Sequence, residues 1–267
     1  RKNRKRAHRR NGANMIRQLE LSLDYYIFQA RLGPGPFFRG VDYSRSIEYS
    51  LASTRLQIQA GDRVLDVGGG DYSIFALYLA ARHTNASFTV VDANEASLGY
   101  TEDFIPKLDL SNIEVRIASA GDLPFEDGSF DRVSAVSSLE YLAGDADMKA
   151  VAEFARVLKP GGSMIITVPY SPVFYEGESQ FGYQRRYDSD AIHSRLVAAS
   201  GLGVAELIYF DDQFSFGKKV AYRPLPLAGG IRNRVIWHLS PLLAPLLMRL
   251  HTVPPANDGG ALLVLRK

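Results

Sequence analysis

From Arg63 onward, short apolar runs alternate with longer segments whose apolar residues recur every three or four positions. This is the pattern of strand and crossover-helix units around a parallel sheet, so the expected fold is α/β: a Rossmann-like, mostly parallel sheet with helices on both faces. The runs predict strands over 63–67, 88–92, 113–118, 131–137, 163–168, 204–210 and 261–266, seven in all. Helices are predicted over 72–82, 95–108, 146–158 and 189–199, and before the first strand over 15–31 and 44–56, with a Gly/Pro-rich loop at 32–40. Lys159-Pro160-Gly161-Gly162 ends one helix and supplies the turn into the next strand.

A chain of 267 residues has room for one such core with an inserted cap. The expected organisation is a basic disordered tail (1–14), an N-terminal helical cap (15–60), a core (61–211 and 261–267) and an insertion or cap (212–260). There are no cysteines, which excludes disulfides, thiolate metal sites and a cysteine nucleophile, and fits a reducing cytosol. No metal is called for. The net charge of +2 is unevenly spread: Arg1, Lys2, Arg4, Lys5, Arg6, Arg9 and Arg10 leave only 24 of the 31 basic residues against 29 acidic ones. A nucleic-acid footprint over the fold is therefore not expected. The basic start is not followed by an apolar stretch ending in small residues, so no signal peptide is expected.

Val64-Leu65-Asp66-Val67-Gly68-Gly69-Gly70 reads as a strand entering a helix through a glycine loop, where backbone N–H groups can face a polar ligand at close range. Val90-Val91-Asp92 ends the second strand in an acid suited to accept from both ribose hydroxyls. That pair points to an adenosine ligand without choosing one. Gly68 and Gly70 also match the start of a dinucleotide loop, whose third glycine is replaced by Ser73.

Three downstream segments break the tie: Gly121-Asp122-Leu123-Pro124-Phe125, Asp127-Gly128-Ser129-Phe130-Asp131, and Val157-Leu158-Lys159-Pro160-Gly161-Gly162. Over residues 63–168 the chain resembles class I S-adenosylmethionine (SAM) dependent methyltransferases, in particular the small-molecule branch of quinone, sugar and natural-product enzymes. The resemblance implies a seven-stranded sheet with an antiparallel last strand and SAM as cofactor. It places Asp66, Gly68 and Gly70 around the methionine part, with Gly69 also among the cofactor-binding residues, Asp92 at the ribose, Ala93, Asp122 and Leu123 at the adenine, and Ser137 near the sulfonium. Tyr72 departs from the small residue that often stands near that position in the family.

Tyr43 and Arg45 precede the core and are read as folding over the ligand carboxylate, with the guanidinium supplying a charge-assisted hydrogen bond. Methyl transfer from a sulfonium needs alignment above all, and a base near the methyl group for a hydroxyl acceptor. In many relatives a Glu-His pair follows strand four, whereas here it is Glu140-Tyr141, so the catalytic candidates are Glu140, Tyr141 and His193. Residues 170–188 are dense in aromatics and arginines and read as a substrate lid, with Tyr170, Tyr183, Arg185, Arg186 and Tyr187 as substrate-binding candidates. Residues 231–250 are apolar with flanking arginines and internal prolines. They are too short and broken to span a bilayer, and suit a cap helix packed on the core, a dimer contact or peripheral membrane contact, the last open also to the basic tail.

The leading functional reading is a SAM-dependent enzyme methylating O, N or C of a small-molecule substrate, with a hydrophobic, sugar or lipid-linked acceptor in view. A non-catalytic SAM-fold scaffold and an NAD-dependent oxidoreductase are the alternatives. The oligomeric state is not legible in the sequence.

Overall fold

Three helices precede the first strand: α1 (Lys2–Arg31), α2 (Pro34–Arg39) and α3 (Arg45–Leu56). The alternation then runs β1 (Arg63–Val67), α4 (Ile74–Arg82), β2 (Ser87–Asp92), α5 (Glu95–Lys107), β3 (Ile113–Ile117), β4 (Phe130–Val136), α6 (Ala146–Val157) and β5 (Leu158–Tyr170). Strands β6 (Tyr175–Ser179) and β7 (Gly182–Arg186) lead to α7 (Ser189–Ala191), which continues through a π-helical stretch (Ile192–Val197) into α8 (Ala198–Ser200). The chain closes with β8 (Gly203–Asp212), a π-helical turn (Gly217–Ala221), α9 (Ile231–Leu247), β9 (Met248–His251) and β10 (Gly259–Arg266). This structure, a computed structural model, describes residues 2–70, 74–179, 182–213, 216–221 and 231–267. The segment around Tyr72 and the Arg223-Pro224 stretch lie outside the described residues.

The main sheet has the order β3-β2-β1-β4-β5-β10-β8-β9. Strands β1 to β5 pair in parallel, and β10 runs antiparallel between β5 and β8. The mostly parallel sheet and the antiparallel last strand are as expected from the sequence. The strand count is not: the sheet has eight strands, and β6 and β7 form a second, two-stranded sheet. β9 escapes pattern reading because four residues at a sheet edge carry too little alternation to register.

Three other local expectations change. α1 is drawn from Lys2, where a disordered tail was expected before residue 15; arginine, lysine and alanine are good helix formers, so propensity carries the helix back. Residues 34–39 form a helix in the place of a loop, because a proline in the first turn lacks only an N–H that would be unpaired there. The Pro160-Gly161-Gly162 turn is absorbed into β5 as an irregularity, where the register against β4 shifts between Phe130 and Arg132 and Gly161 takes φ +79°.

By chain contacts the molecule divides into one unit of residues 1–51 with 212–249 and another of 52–211 with 250–267. The second holds the sheet core, where Leu65, Val67, Val133, Ala135 and Leu263 pack with Val151 and Phe154 of α6. In the first, α9 contains Pro241, whose missing N–H leaves the Trp237 carbonyl without its helical donor; the Val41 N–H takes it at 3.2 Å. Gly40 sits so close that a Cβ would lie 2.9 Å from the Trp237 Cβ, and its carbonyl accepts from Gln29 at 2.6 Å.

Candidate active site

β1 has β2 on one side and β4 on the other, so the chain winds away in opposite directions and opens a crevice at the carboxyl ends of β1 and β4. The glycine loop forms its floor. Gly68 adopts φ +73°, and a Cβ there would come within 2.5 Å of the Ser138 Cβ, so only glycine lets the ends of the two strands approach. The Gly68 N–H donates to the Val91 carbonyl at 2.8 Å, and the Ser138 hydroxyl to the Val67 carbonyl at 3.1 Å.

The carboxylate of Asp92 stands at the rim of this loop, accepting from the Gly70 N–H at 3.1 Å and the Asn94 N–H at 2.9 Å. Beneath it Asp66 is 4% exposed and accepts from the Ser134 hydroxyl at 2.5 Å. Burial pushes the Asp66 carboxyl up to about 6, the Ser134 hydrogen bond opposes this, and the nearby Asp92 carboxylate adds to it. Gly69 borders the crevice half-buried, and Ala93 and Asp122 are exposed. Ser137, at φ +46° just beyond β4, is buried, with its N–H on the Thr167 carbonyl and hydroxyl at 3.0 Å.

Leu123 is buried, and its loop is held by two side chains that pattern reading missed. Glu153 accepts from the Leu123 N–H at 3.0 Å, while Arg156 donates to the carbonyls of Leu123 at 3.0 Å and Phe125 at 2.7 Å and to Asp127 at 2.8 Å. Hydrogen bonds from Arg156 hold the Glu153 carboxyl below its ordinary range. The sequence signal is an acid and an arginine three apart on α6, which many solvated helices also carry.

The catalytic candidates are placed differently from one another. Glu140 is 2% exposed in the 3-10 turn Leu139–Tyr141 directly after β4, and Tyr141 beside it is 45% exposed. His193 is exposed on the π-helical stretch, its Nδ1 on the Ser189 carbonyl at 2.8 Å, and none of its described hydrogen bonds reaches Glu140 or Tyr141.

In the segment expected to be a lid, Arg185 and Tyr187 are not substrate-binding side chains but buried ones. Arg185 has no exposed surface and donates to Asp147 at 2.7 Å, the Gly144 carbonyl at 2.6 Å, the Tyr183 hydroxyl at 2.9 Å and Glu176 at 3.1 Å. The Tyr187 hydroxyl donates to Asp147 at 2.8 Å, and burial pushes its pKa upward. Both side chains are committed to an internal network, since a buried guanidinium needs its partners inside the fold. Tyr183 joins this network through Glu176 at 3.0 Å. Arg186 makes a surface pair with Asp258 at 3.3 Å, and Tyr170 is buried against Tyr209 with its hydroxyl on the Pro255 carbonyl at 3.1 Å. Tyr43 and Arg45 belong to the first unit: Tyr43 is buried against Phe216, and Arg45 pairs with Glu48 of its own helix at 2.7 Å.

Residues 65–166 match the family model described as a methyltransferase domain. The chain is 34% identical over 110 residues to a ubiquinone/menaquinone biosynthesis C-methyltransferase UbiE of Teredinibacter turnerae, covering 41% of this chain and 43% of that protein. It is 36% identical over 168 residues to the methyltransferase GfsG of Streptomyces halstedii, covering 60% and 59%. This chain thus spans about half the length of the curated relatives it matches. Among solved structures, coclaurine N-methyltransferase bound to N-methylheliamine and S-adenosylhomocysteine (SAH) superposes with a TM-score of 0.61 at 13% identity, covering 96% of this chain and 88% of that one. A dinucleotide-binding fold of order 3-2-1-4-5-6 has no antiparallel strand inserted beside its fifth strand, as β10 is here. Residues 65–166 thus match a methyltransferase domain, and the sheet around them, with β10 antiparallel beside β5, has the fold of that solved N-methyltransferase.

Proposed function

We propose that this chain binds SAM in the β1–β4 crevice and transfers its methyl group to a small-molecule acceptor. The observation that carries this is the Gly68–Gly70 loop with the Asp92 carboxylate at its rim, 3.1 Å from the Gly70 N–H, in a sheet of methyltransferase order. In this reading Asp66 and the glycine backbone hold the methionine part, Asp92 accepts from the ribose hydroxyls, Ala93, Asp122 and Leu123 border the adenine, and Ser137 stands by the sulfur. The chemistry supplied by the bound sulfonium is an electrophilic methyl with a neutral leaving group, so aligning the acceptor is the main task left to the chain. Glu140 is the acid best placed to take a proton from the acceptor, because it follows β4 at the carboxyl edge of the sheet. Tyr141 adds an exposed phenol beside it. Support for a small acceptor comes from the relatives, one named for C-methylation in ubiquinone/menaquinone biosynthesis and another, 29% identical over 182 residues, for N-methylation of (S)-tetrahydroprotoberberine.

Titration calorimetry with SAM, SAH and NAD tests the reading. SAM and SAH are expected to bind and NAD to be inert. Asp92→Ala is expected to weaken SAH by about 10–100-fold, the cost of losing a charged hydrogen-bond acceptor. Binding of NAD without SAM or SAH would sink the proposal.

A further inference from the structure

On α9, Val235, Leu239, Leu242 and Leu246 are 56%, 44%, 43% and 51% exposed. Steps of four, three and four residues at about 100° each gather them within an arc of ~60°, one stripe ~17 Å long. The opposite side is the packed one, for Ser240 and Ala244 are wholly buried, and on the flank of the stripe the Tyr26 hydroxyl of α1 meets His238 at 2.9 Å. A row of outward leucines on a helix anchored from behind calls for a partner.

Charge says which kind. The unit containing α9 holds 17 of the 31 basic residues and 5 of the 29 acidic ones, a net +12, while the other unit holds 14 and 24, a net −10. From 213 to 257 the chain has no acidic residue, and six basic ones: Lys218, Lys219, Arg223, Arg232, Arg234 and Arg249. Nucleic acid would be met by the charge but not by the leucines, whereas an anionic bilayer surface meets both, headgroups taking the arginines and the acyl boundary the stripe. Among the described residues no helix is long and apolar enough to cross a membrane, which leaves contact in the plane of the interface.

We infer that the α9 stripe, within this strongly basic unit, docks the protein on an anionic lipid surface. The inference does not depend on the methyltransferase reading, since it requires neither cofactor nor acceptor. Flotation with vesicles of phosphatidylcholine alone and of phosphatidylcholine with 30% phosphatidylglycerol tests it on the full chain. The expected result is recovery with the anionic vesicles only. Binding should weaken about tenfold or more between 0.1 and 0.5 M NaCl. The double variant Leu239→Glu/Leu242→Glu, checked for an unchanged melting curve, is expected to lose about tenfold or more in binding. The chain has no cysteine, so Leu242→Cys carries a single environment-sensitive fluorophore, and its emission should shift to the blue on anionic vesicles even if the double variant does not fold. Three outcomes overturn the inference: no flotation, flotation with no blue shift, or a double variant that turns a dimer into a monomer by light scattering with vesicle binding intact.

Discussion

The carboxyl of Asp66 lies under the glycine loop with the Ser134 hydroxyl against it and the Asp92 carboxylate close by, and its pKa rises from 3.8 to about 6. A folded pKa above the unfolded one means that the folded chain binds this proton more tightly. The resulting stabilisation is complete below pH 3.8 and is lost as pH rises through 6, an amount of about 3 kcal/mol at 1.36 kcal/mol per unit. Asp66→Asn keeps an acceptor for Ser134 and removes the titration. In melting experiments across pH 4 to 8 the variant should gain on the wild type as pH rises and hold the gain above pH 7. A difference that stays constant with pH would refute the role given to burial here. Single residues are also where the sequence is least informative. Asp66, Asp92 and Gly68 were legible because a strand-loop-helix pattern fixes their places, whereas Arg185 read as a ligand-binding arginine and lies wholly inside the fold.

At the scale of elements, α6 acts as a brace for the loop between β3 and β4. Three hydrogen bonds donated by Arg156 and one accepted by Glu153 fix the backbone on both sides of Leu123 and reach Asp127. Arg156→Ala frees two carbonyls and the Asp127 side chain together. The Leu123 amide is then expected to exchange its hydrogen faster, with a stability loss of about 1–3 kcal/mol, the scale for hydrogen bonds to a charged donor. SAH affinity should fall in the same variant and recover in part in Arg156→Lys, which keeps the charge and loses the fork. Unchanged exchange at Leu123 would show that the loop stands by itself. Helix and strand existence followed from periodicity over nearly the whole core, from β1 to β5 and again at β8 and β10. What periodicity could not give was β9, the β6–β7 pair and the helix at 34–39, each short and defined by its neighbours more than by its own residues.

Across the whole core, one buried acid joins segments far apart in the chain. Asp147 on α6 accepts from Arg185 of β7 at 2.7 Å, from Arg195 at 2.7 and 2.9 Å and from Tyr187 at 2.8 Å, while the Gly144 carbonyl takes both arginines. Asp147→Ala leaves the buried Arg185 facing only Glu176, neutral oxygens and another guanidinium, and is expected to cost about 3–5 kcal/mol. Denaturant unfolding measures it, and a loss below 1 kcal/mol would mean that Arg185 finds solvent. The sequence by itself determined the α/β class, the glycine loop and the acid at the end of β2, because these depend on the order of residues within a few turns of chain. Only the tertiary structure decided that Arg185 of the expected lid is committed inside the fold, that Arg156 braces the loop at Leu123, and that α9 turns its leucines outward. Each of those depends on which distant side chain arrives as a partner, and burial and pairing between remote residues leave no periodic trace in the chain.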